Sequence, residues 1–388
     1  MKIREAAESV KEQLVDWRRE FHQNPELTWE EVRTGNRVAE ELERMGIEAK
    51  RIARTGVLGI LRGKSPGRTV ALRADMDALP ITEANDVPYK SQKDGVMHAC
   101  GHDGHVAMLL GAAKVLSGMR EDIEGEVRFL FQPAEEIAEG APAMMKEGAM
   151  DGVDAVFGIH LWSDLETGRV SVEAGPRMAS TGILKITVKG KSGHGSMPHQ
   201  GVDAILAASA VVVDLQSIAS REISPLDPVV ITIGKYNGGA RWNVLCGEVV
   251  MEGTTRCFNP ETAENLTDII SRVAKNTAAS YRAEAEVEHT LLTPPLLNDP
   301  EISEIARGSV EKLYGKEAVA EMEKVMGGED FAFYTKAAPG AVAFVGIANS
   351  SKGTDVAHHN ERFDIDEDAL PVGTALYAQF ALDYLAGK

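Results

Sequence analysis

The sequence predicts an α/β protein in two parts: a larger domain on an open, mostly parallel sheet with helices on both faces, interrupted by a smaller ferredoxin-like α+β module. Three observations predict it. Helical and strand-like segments alternate through the first 179 residues and again after Pro294, as in a sheet built from crossover units. Residues with the most chemical capacity follow the carboxyl ends of those strands, where open α/β sheets bind ligands. Between residues 180 and 291 the order becomes β-α-β-β-α-β, that of a compact two-layer module. The boundaries read as 1–179, 180–291 and 292–388, the outer two being one domain. At 388 residues the chain exceeds one ordinary core, and an apolar content of 44% supplies two.

Taken in order, Ile3, Ala6, Ala7, Val10, Leu14, Trp17 and Phe21 recur at helical spacing, in a helix opening at Met1 and stopped by Asn24-Pro25. His22 then lies near a helix end, as a capping or packing residue. A second helix spans 32–45 before Gly46, and strand-like runs follow at 56–61 and 69–73. A helix over 105–116 and strands over 126–131, 154–159 and 341–345 complete the larger domain. In the module, strands are expected over 183–188, 229–233, 248–256 and 283–289, with helices over 202–219 and 260–281. The longest apolar stretch, 204–213, contains Ser209 and stops at Asp214, so neither a signal peptide nor a membrane-spanning helix is expected. A formal charge of −18 argues against nucleic acid or an anionic membrane as partner. Three cysteines without CxxC spacing fit a reducing compartment, with Cys246 and Cys257 as buried thiols, and the protein reads as cytoplasmic.

Eight of the ten histidines fall in four short patches, at 98–105, 158–162, 192–199 and 356–360. The first, His98-Ala99-Cys100-Gly101-His102-Asp103-Gly104-His105, reads as a metal site. Cys100 and His102, two apart, let one turn direct a thiolate and an imidazole at neighbouring ions. Glu136, His160 and His359 add a hard donor and two imidazoles. Five ligands exceed the usual three of a single catalytic zinc, so two ions sharing ligands fit better. Such a pair acidifies a bound water; lowering its pKa from about 16 to about 7 is worth roughly 12 kcal/mol. Beside the ligand Glu136, Glu135 is left to take the water's proton, although two solvated acids after Pro133 would also read this way. Asp75, Asp77 and Asp103 could orient the ligand imidazoles or cap helices.

These residues carry a resemblance. The chain resembles the aminoacylase and carboxypeptidase family of dinuclear metallohydrolases, in the branch of hippurate hydrolases, N-acyl-amino-acid deacylases and auxin-conjugate amidohydrolases. The match runs nearly end to end: Phe21-His22 with Asn24-Pro25-Glu26-Leu27, Asp75-Met76-Asp77-Ala78-Leu79-Pro80, the 98–105 cluster, Phe131-Gln132-Pro133-Ala134-Glu135-Glu136, Gly158-Ile159-His160, Gly193-His194, Gly327-Gly328-Glu329-Asp330-Phe331, and His359 four residues before Phe363. The resemblance implies Cys100 as the bridging ligand, with His102, Glu136, His160 and His359 completing the set and Glu135 as general base. It favours His359 over His358, and leaves His98 and His105 as supporting or packing residues. Other branches open the site with His-x-Asp-x-x-Pro and bridge through a carboxylate. Here Asp75 stands in place of that histidine, and the bridge passes to Cys100. A thiolate bridge suits zinc without excluding manganese, nickel or cobalt.

By the same resemblance the module is a lid and dimerisation domain. His194 would stabilise the oxyanion in the partner subunit's site, with Asn243 nearby, Arg241 or Arg256 on the substrate carboxylate and Gly328 close to substrate. On sequence alone, Ser192-Gly193-His194-Gly195 is a polar turn. The implied activity is hydrolysis of an N-acyl-amino acid or a short peptide with a free C-terminal carboxylate, through metal-bound hydroxide, by a homodimer or higher homo-oligomer. The alternatives are a non-catalytic member that binds metal or peptide, a deacetylase of a biosynthetic intermediate such as N-acetyl-diaminopimelate, and a dinuclear phosphoesterase, for which no cationic cluster is evident.

Overall fold

The computed structural model describes residues 3–387; Met1 and Lys2, into which the first expected helix extends, and Lys388 lie outside the described residues. The chain forms two compact units: residues up to Gly175 with Leu297–Glu323 and the stretch from Asp330 on, and Pro176–Leu296 with Lys324–Glu329. The second unit thus takes in a segment, 324–329, that the sequence reading left in the first. Its anchors are backbone bonds from Ala179 N to Val325 O and Gly327 O, and from Val325 N to Arg177 O.

In the first unit, the expected opening helix divides at Val10 into α1 (Ile3–Ser9) and α2 (Lys11–Gln23). There follow α3 (Val32–Arg44), β1 (Glu48–Ile52), β2 (Gly56–Arg62), β3 (Ser65–Asp75), α4 (His102–Ser117), β4 (Glu124–Gln132), α5 (Gly140–Lys146), β5 (Ala155–Glu166) and β6 (Val170–Ser171). After the second unit the chain returns with α8 (Pro300–Tyr314), β15 (Gly340–Ala348) and α9 (Leu370–Leu385). The strands make one sheet in the order β1-β2-β4-β3-β5-β15-β6, of which the central four, β4, β3, β5 and β15, run parallel. Strand alternation covers both faces. Phe157 of β5 stacks on Phe380 of α9 with centroids 4.2 Å apart, and on the opposite side its neighbour Gly158 would put a Cβ 3.0 Å from Phe331.

Short strands β7 (Gly175–Met178) and β14 (Leu296–Asn298) lie at the first two of the chain's four passages between the units. The second unit contains β8 (Thr181–Lys189), β9 (Gly193–His194), α6 (Ala204–Ser217), β10 (Val229–Gly238), β11 (Val244–Leu245), β12 (Glu248–Cys257), α7 (Pro260–Ser280) and β13 (Glu284–Thr293). Its four-stranded antiparallel sheet runs β10-β12-β8-β13. Leu184, Ile186 and Val188, on one face of β8, meet Ala207, Ala208, Val211 and Leu215 of α6 and Leu266, Ile270 and Ala274 of α7. The helix expected over 202–219 is α6 with the turn that follows it, and Ala204–Glu222 is long and apolar enough, by length and composition alone, to cross a membrane. In the structure Ala204, Ala207, Ala208, Val211, Leu215 and Ile218 bury one side of that run in the module core, which accounts for its apolar character.

Candidate metal centre

Cys100 lies in the buried turn before α4. Gly101 precedes the helix with φ 90°, a left-handed conformation that glycine adopts freely. The helix therefore begins at His102, three residues before the sequence pattern suggested, so His102 and Asp103 stand on its first turn. His160 also departs from expectation. It sits within β5, opposite Phe344 of β15, because the strand runs on to Glu166 where a loop was expected after Ile159. Glu135 and Glu136 follow β4, and His359 follows β15 in a loop, with φ 62° and its N–H bonded to Ala99 O at 2.8 Å. That bond ties one ligand-bearing loop to the other.

Five side chains converge as two triples that share the thiol: Cys100, His102 and His160, and Cys100, Glu136 and His359. Within each triple the ligand atoms lie within 4.8 Å of one another. Both buried imidazoles are held so that Nε2 faces inward. His102 Nδ1 bonds Asp77 O at 2.8 Å and His160 Nδ1 bonds Leu161 O at 2.7 Å, which fixes each tautomer with its proton on Nδ1. His160 Nε2 then lies 3.7 Å from Cys100 Sγ. His102 Nε2 is buried with no hydrogen-bond partner, and His359 Nε2 is 3.8 Å from a Glu136 oxygen.

Electrostatics fit a bound cation. Burial, reinforced by Glu136, pushes the Cys100 thiol well above its ordinary pKa, so a local positive charge is what would make it a thiolate. Burial, with His105 and His358 nearby, holds His160 well below the usual imidazole range and hence neutral. Burial alone would lower His102, but beside Asp75 and Cys100 it is held well above the usual imidazole range, so a bound cation would take the place of its second proton. A thiol, a carboxylate and imidazoles, one of whose nitrogens is buried and unbonded, are the donor chemistry of borderline divalent ions.

The surrounding carboxylates hold this set in place. Asp77 accepts the backbone N–H of Glu135 and of Glu136, each at 3.1 Å, and the Thr28 hydroxyl at 2.8 Å. One side chain thus presents both glutamates. Burial alone would raise Asp75, but beside His102, Arg73 and His105 it is held well below the usual range. Arg73 Nη1 and His105 Nδ1 each lie 2.6 Å from it, and His105 Nε2 accepts Leu161 N–H at 2.9 Å. Asp103 turns away from the ligands, to Arg18 at 2.9 Å and His22 at 2.7 Å. His98 and His358 belong to no such group, and His105 belongs to neither of these two triples but to a third, with Asp75 and His102.

Three further contributors escape sequence reasoning, Arg18, Glu31 and Arg73, the last through a partner, Asp330, that the sequence placed only in the Gly327–Phe331 motif. Buried Glu31 accepts the N–H of Ala134, whose φ of 56° turns the chain into the glutamate pair, and buried Arg73 reaches Asp330 Oδ1 at 2.9 Å. No local pattern marks them, because their partners lie 103 and 257 residues away.

The remaining candidates belong to the second unit. His194 of β9 pairs with Val244 of β11, and Gly195 N–H donates to Asn243 O at 2.9 Å, so His194 and Asn243 share one two-stranded ribbon. His194 Nδ1 accepts Ser196 N–H at 3.1 Å, leaving the neutral ring's proton on Nε2. Arg241 is exposed. Arg256 is occupied locally, donating to Thr255 O and Met326 O. A Cβ on Gly328 would lie 2.1 Å from Thr181 Oγ1, so close packing within this unit already requires glycine there.

Two groups of potential cation ligands that share a thiol, at the carboxyl end of a parallel sheet and beside a pair of glutamates, are the donor arrangement of a binuclear metallohydrolase. The chain belongs to peptidase family M20/M25/M40, whose family profile matches residues 71–383. It is 41% identical over 377 residues to IAA-amino acid hydrolase ILR1-like 4 of Arabidopsis thaliana, covering 96% of this chain and 86% of that protein. It is 39% identical over 388 residues to thermostable carboxypeptidase 2 of Saccharolobus solfataricus, covering 99% and 98%. A crystal structure described as a dinuclear metal-binding peptidase of the M20 family, from Bacillus subtilis, superposes with a TM-score of 0.88 at 35% identity, covering 98% of this chain and 99% of that one. The protein is thus a metallohydrolase acting on amides, with a binuclear metal site.

Proposed function

We propose that the chain hydrolyses the amide bond of N-acyl-amino acids, or of short peptides with a free C-terminal carboxylate. Cys100, His102, Glu136, His160 and His359 would hold two divalent ions, zinc by preference, with manganese, nickel or cobalt as substitutes. When bound, the ions supply Lewis acidity to a water and to the scissile carbonyl. Glu135 takes the proton of the attacking water and passes it to the leaving amine. His194, its proton on Nε2, donates to the developing oxyanion, while Asn243 and Arg241 lie with it on the ribbon side of the second unit as substrate contacts. Arg256 and Gly328 are weaker substrate contacts, since both are engaged within their own unit. Asp75 and Asp77 orient the ligands, whereas Asp103, expected to do the same, is taken up by Arg18 and His22.

The observation that carries the reading is the placement of the glutamate pair. Asp77 fixes both backbones, Glu136 joins one cation triple, and Glu135 lies in a group with Glu136 and His102. The relatives' names point the same way, one being an amino-acid conjugate hydrolase and the other a carboxypeptidase. The chain acts as a homodimer or larger assembly through its second unit, where Ile205, Leu206, Val213 and Trp242 are exposed, Trp242 at 89%. The three cysteines, all buried and unpaired, support a reducing, cytoplasmic setting. Profiling zinc-loaded protein against N-acyl-amino acids, C-terminally free peptides and C-terminally amidated peptides tests the proposal. Turnover of the first two classes alone is expected, and equal turnover of the amidated peptides would remove the carboxylate requirement.

A further inference from the structure

Arg18 is wholly buried on α2, 0% exposed, among residues that ligate nothing. Its guanidinium nevertheless touches two of the chain segments that bring ligands to the centre. Nε donates to Asp103 Oδ2 at 2.9 Å, and Asp103 directly follows His102 on the first turn of α4. Nη2 donates to Asp364 Oδ1 at 2.5 Å, and Asp364 lies five residues beyond His359. Nη1 reaches Glu367 Oε1 at 3.4 Å. Each of the carboxylates of Asp103 and Asp364 has a further partner, at the same oxygen of Asp103 and at the other oxygen of Asp364. His22 Nδ1 lies 2.7 Å from Asp103 Oδ2, and the Tyr89 hydroxyl donates to Asp364 Oδ2 at 2.8 Å under a ring that packs 4.8 Å from the guanidinium carbon.

A buried ion pair is a poor way to add stability, because apolar residues of the same volume serve a core as well or better. What a planar guanidinium adds is geometry: a rigid fork that fixes two carboxylates at one separation. The helix carrying His102 has a large apolar core behind it. The loop carrying His359 has φ 62° at the histidine itself and depends on such ties.

We propose that Arg18 is a positioning residue for the metal pair, its fork locking the His359 loop to the His102 helix and so setting the affinity of the Cys100–Glu136–His359 position. The inference rests on the binuclear reading of the centre. Arg18→Lys keeps the charge but cannot span both carboxylates, and Asp364→Asn weakens the same tie from its other end. Arg19→Ala serves as a control, since Arg19 is half-exposed and meets Glu367 and the Tyr89 ring but neither Asp103 nor Asp364.

The test titrates chelator-stripped full-length protein with zinc alone against a chromophoric competitor, alongside thermal melts. The wild type is expected to take up two ions per chain. Arg18→Lys and Asp364→Asn should bind the first like wild type and the second about 10- to 100-fold more weakly. The weakened step should be the one that His359→Ala abolishes, and Arg19→Ala should leave both steps intact. If Arg18→Lys does not fold, Asp364→Asn decides. Unchanged affinities at both positions, or equal weakening of both with a lowered melting temperature, would overturn the proposal while leaving the binuclear centre standing. A wild type that takes up one ion would overturn both.

Discussion

Glu135 and Glu136 are chemically identical, and only the fold distinguishes them. Glu136 shares a cation triple with Cys100 and His359, whereas Glu135 does not. Glu135→Gln is therefore expected to keep both ions by metal analysis and to lose about 10²–10⁴-fold in turnover, the usual cost of a missing proton shuttle. Glu136→Gln should lose metal instead, and swapped phenotypes would reverse the two assignments. At this scale the ligand types were legible because few histidines and cysteines occur and most cluster. The residues that support them were not. A buried arginine such as Arg73 looks like any strand residue until Asp330, 257 positions away, is folded against it.

Among the elements, the order of strands and helices could be read from apolar spacing, but three boundaries that matter to the site could not. The first helix breaks at Val10 without a proline or glycine. α4 starts at His102 because Gly101 adopts φ 90° and ends the preceding turn there. β5 runs past His160 to Glu166 because pairing with β15 continues to Ala348, a tertiary cause invisible in the local pattern. Gly101→Ala should test how much the centre depends on that first boundary. Forcing a side chain into left-handed backbone costs about 1–2 kcal/mol, so denaturant unfolding should show a loss of that size together with weaker zinc binding. Unchanged metal affinity in a destabilised variant would mean that the turn holds the helix but not the thiol.

For the whole molecule, the inserted β-α-β-β-α-β module was readable from element order, and so was the apolar helix α6 within it. That helix serves the module's own core on one side, and Ile205, Leu206 and Val213 remain exposed on the other. The proposed role of His194 belongs to this scale, since it lies in a different unit from every proposed ligand. His194→Ala should retain both ions and the native mass by light scattering, and lose about 2.7–4 kcal/mol of transition-state stabilisation, the cost of one oxyanion donor. Mixing it with Glu135→Gln subunits should restore activity, because a mixed dimer contains one site with both groups intact. Failure to recover despite demonstrated subunit exchange would place the histidine in its own subunit's site or outside catalysis.

The central claim is that two ions sharing the Cys100 thiolate make the chain an amide hydrolase, and it is tested most directly by adding zinc stepwise to stripped protein while following hydrolysis of an N-acyl-amino acid. Activity should rise to a plateau at two equivalents per chain, and Cys100→Ser should not reach that plateau at the same zinc concentration. A plateau at one equivalent, or no hydrolysis with two ions bound, would contradict it.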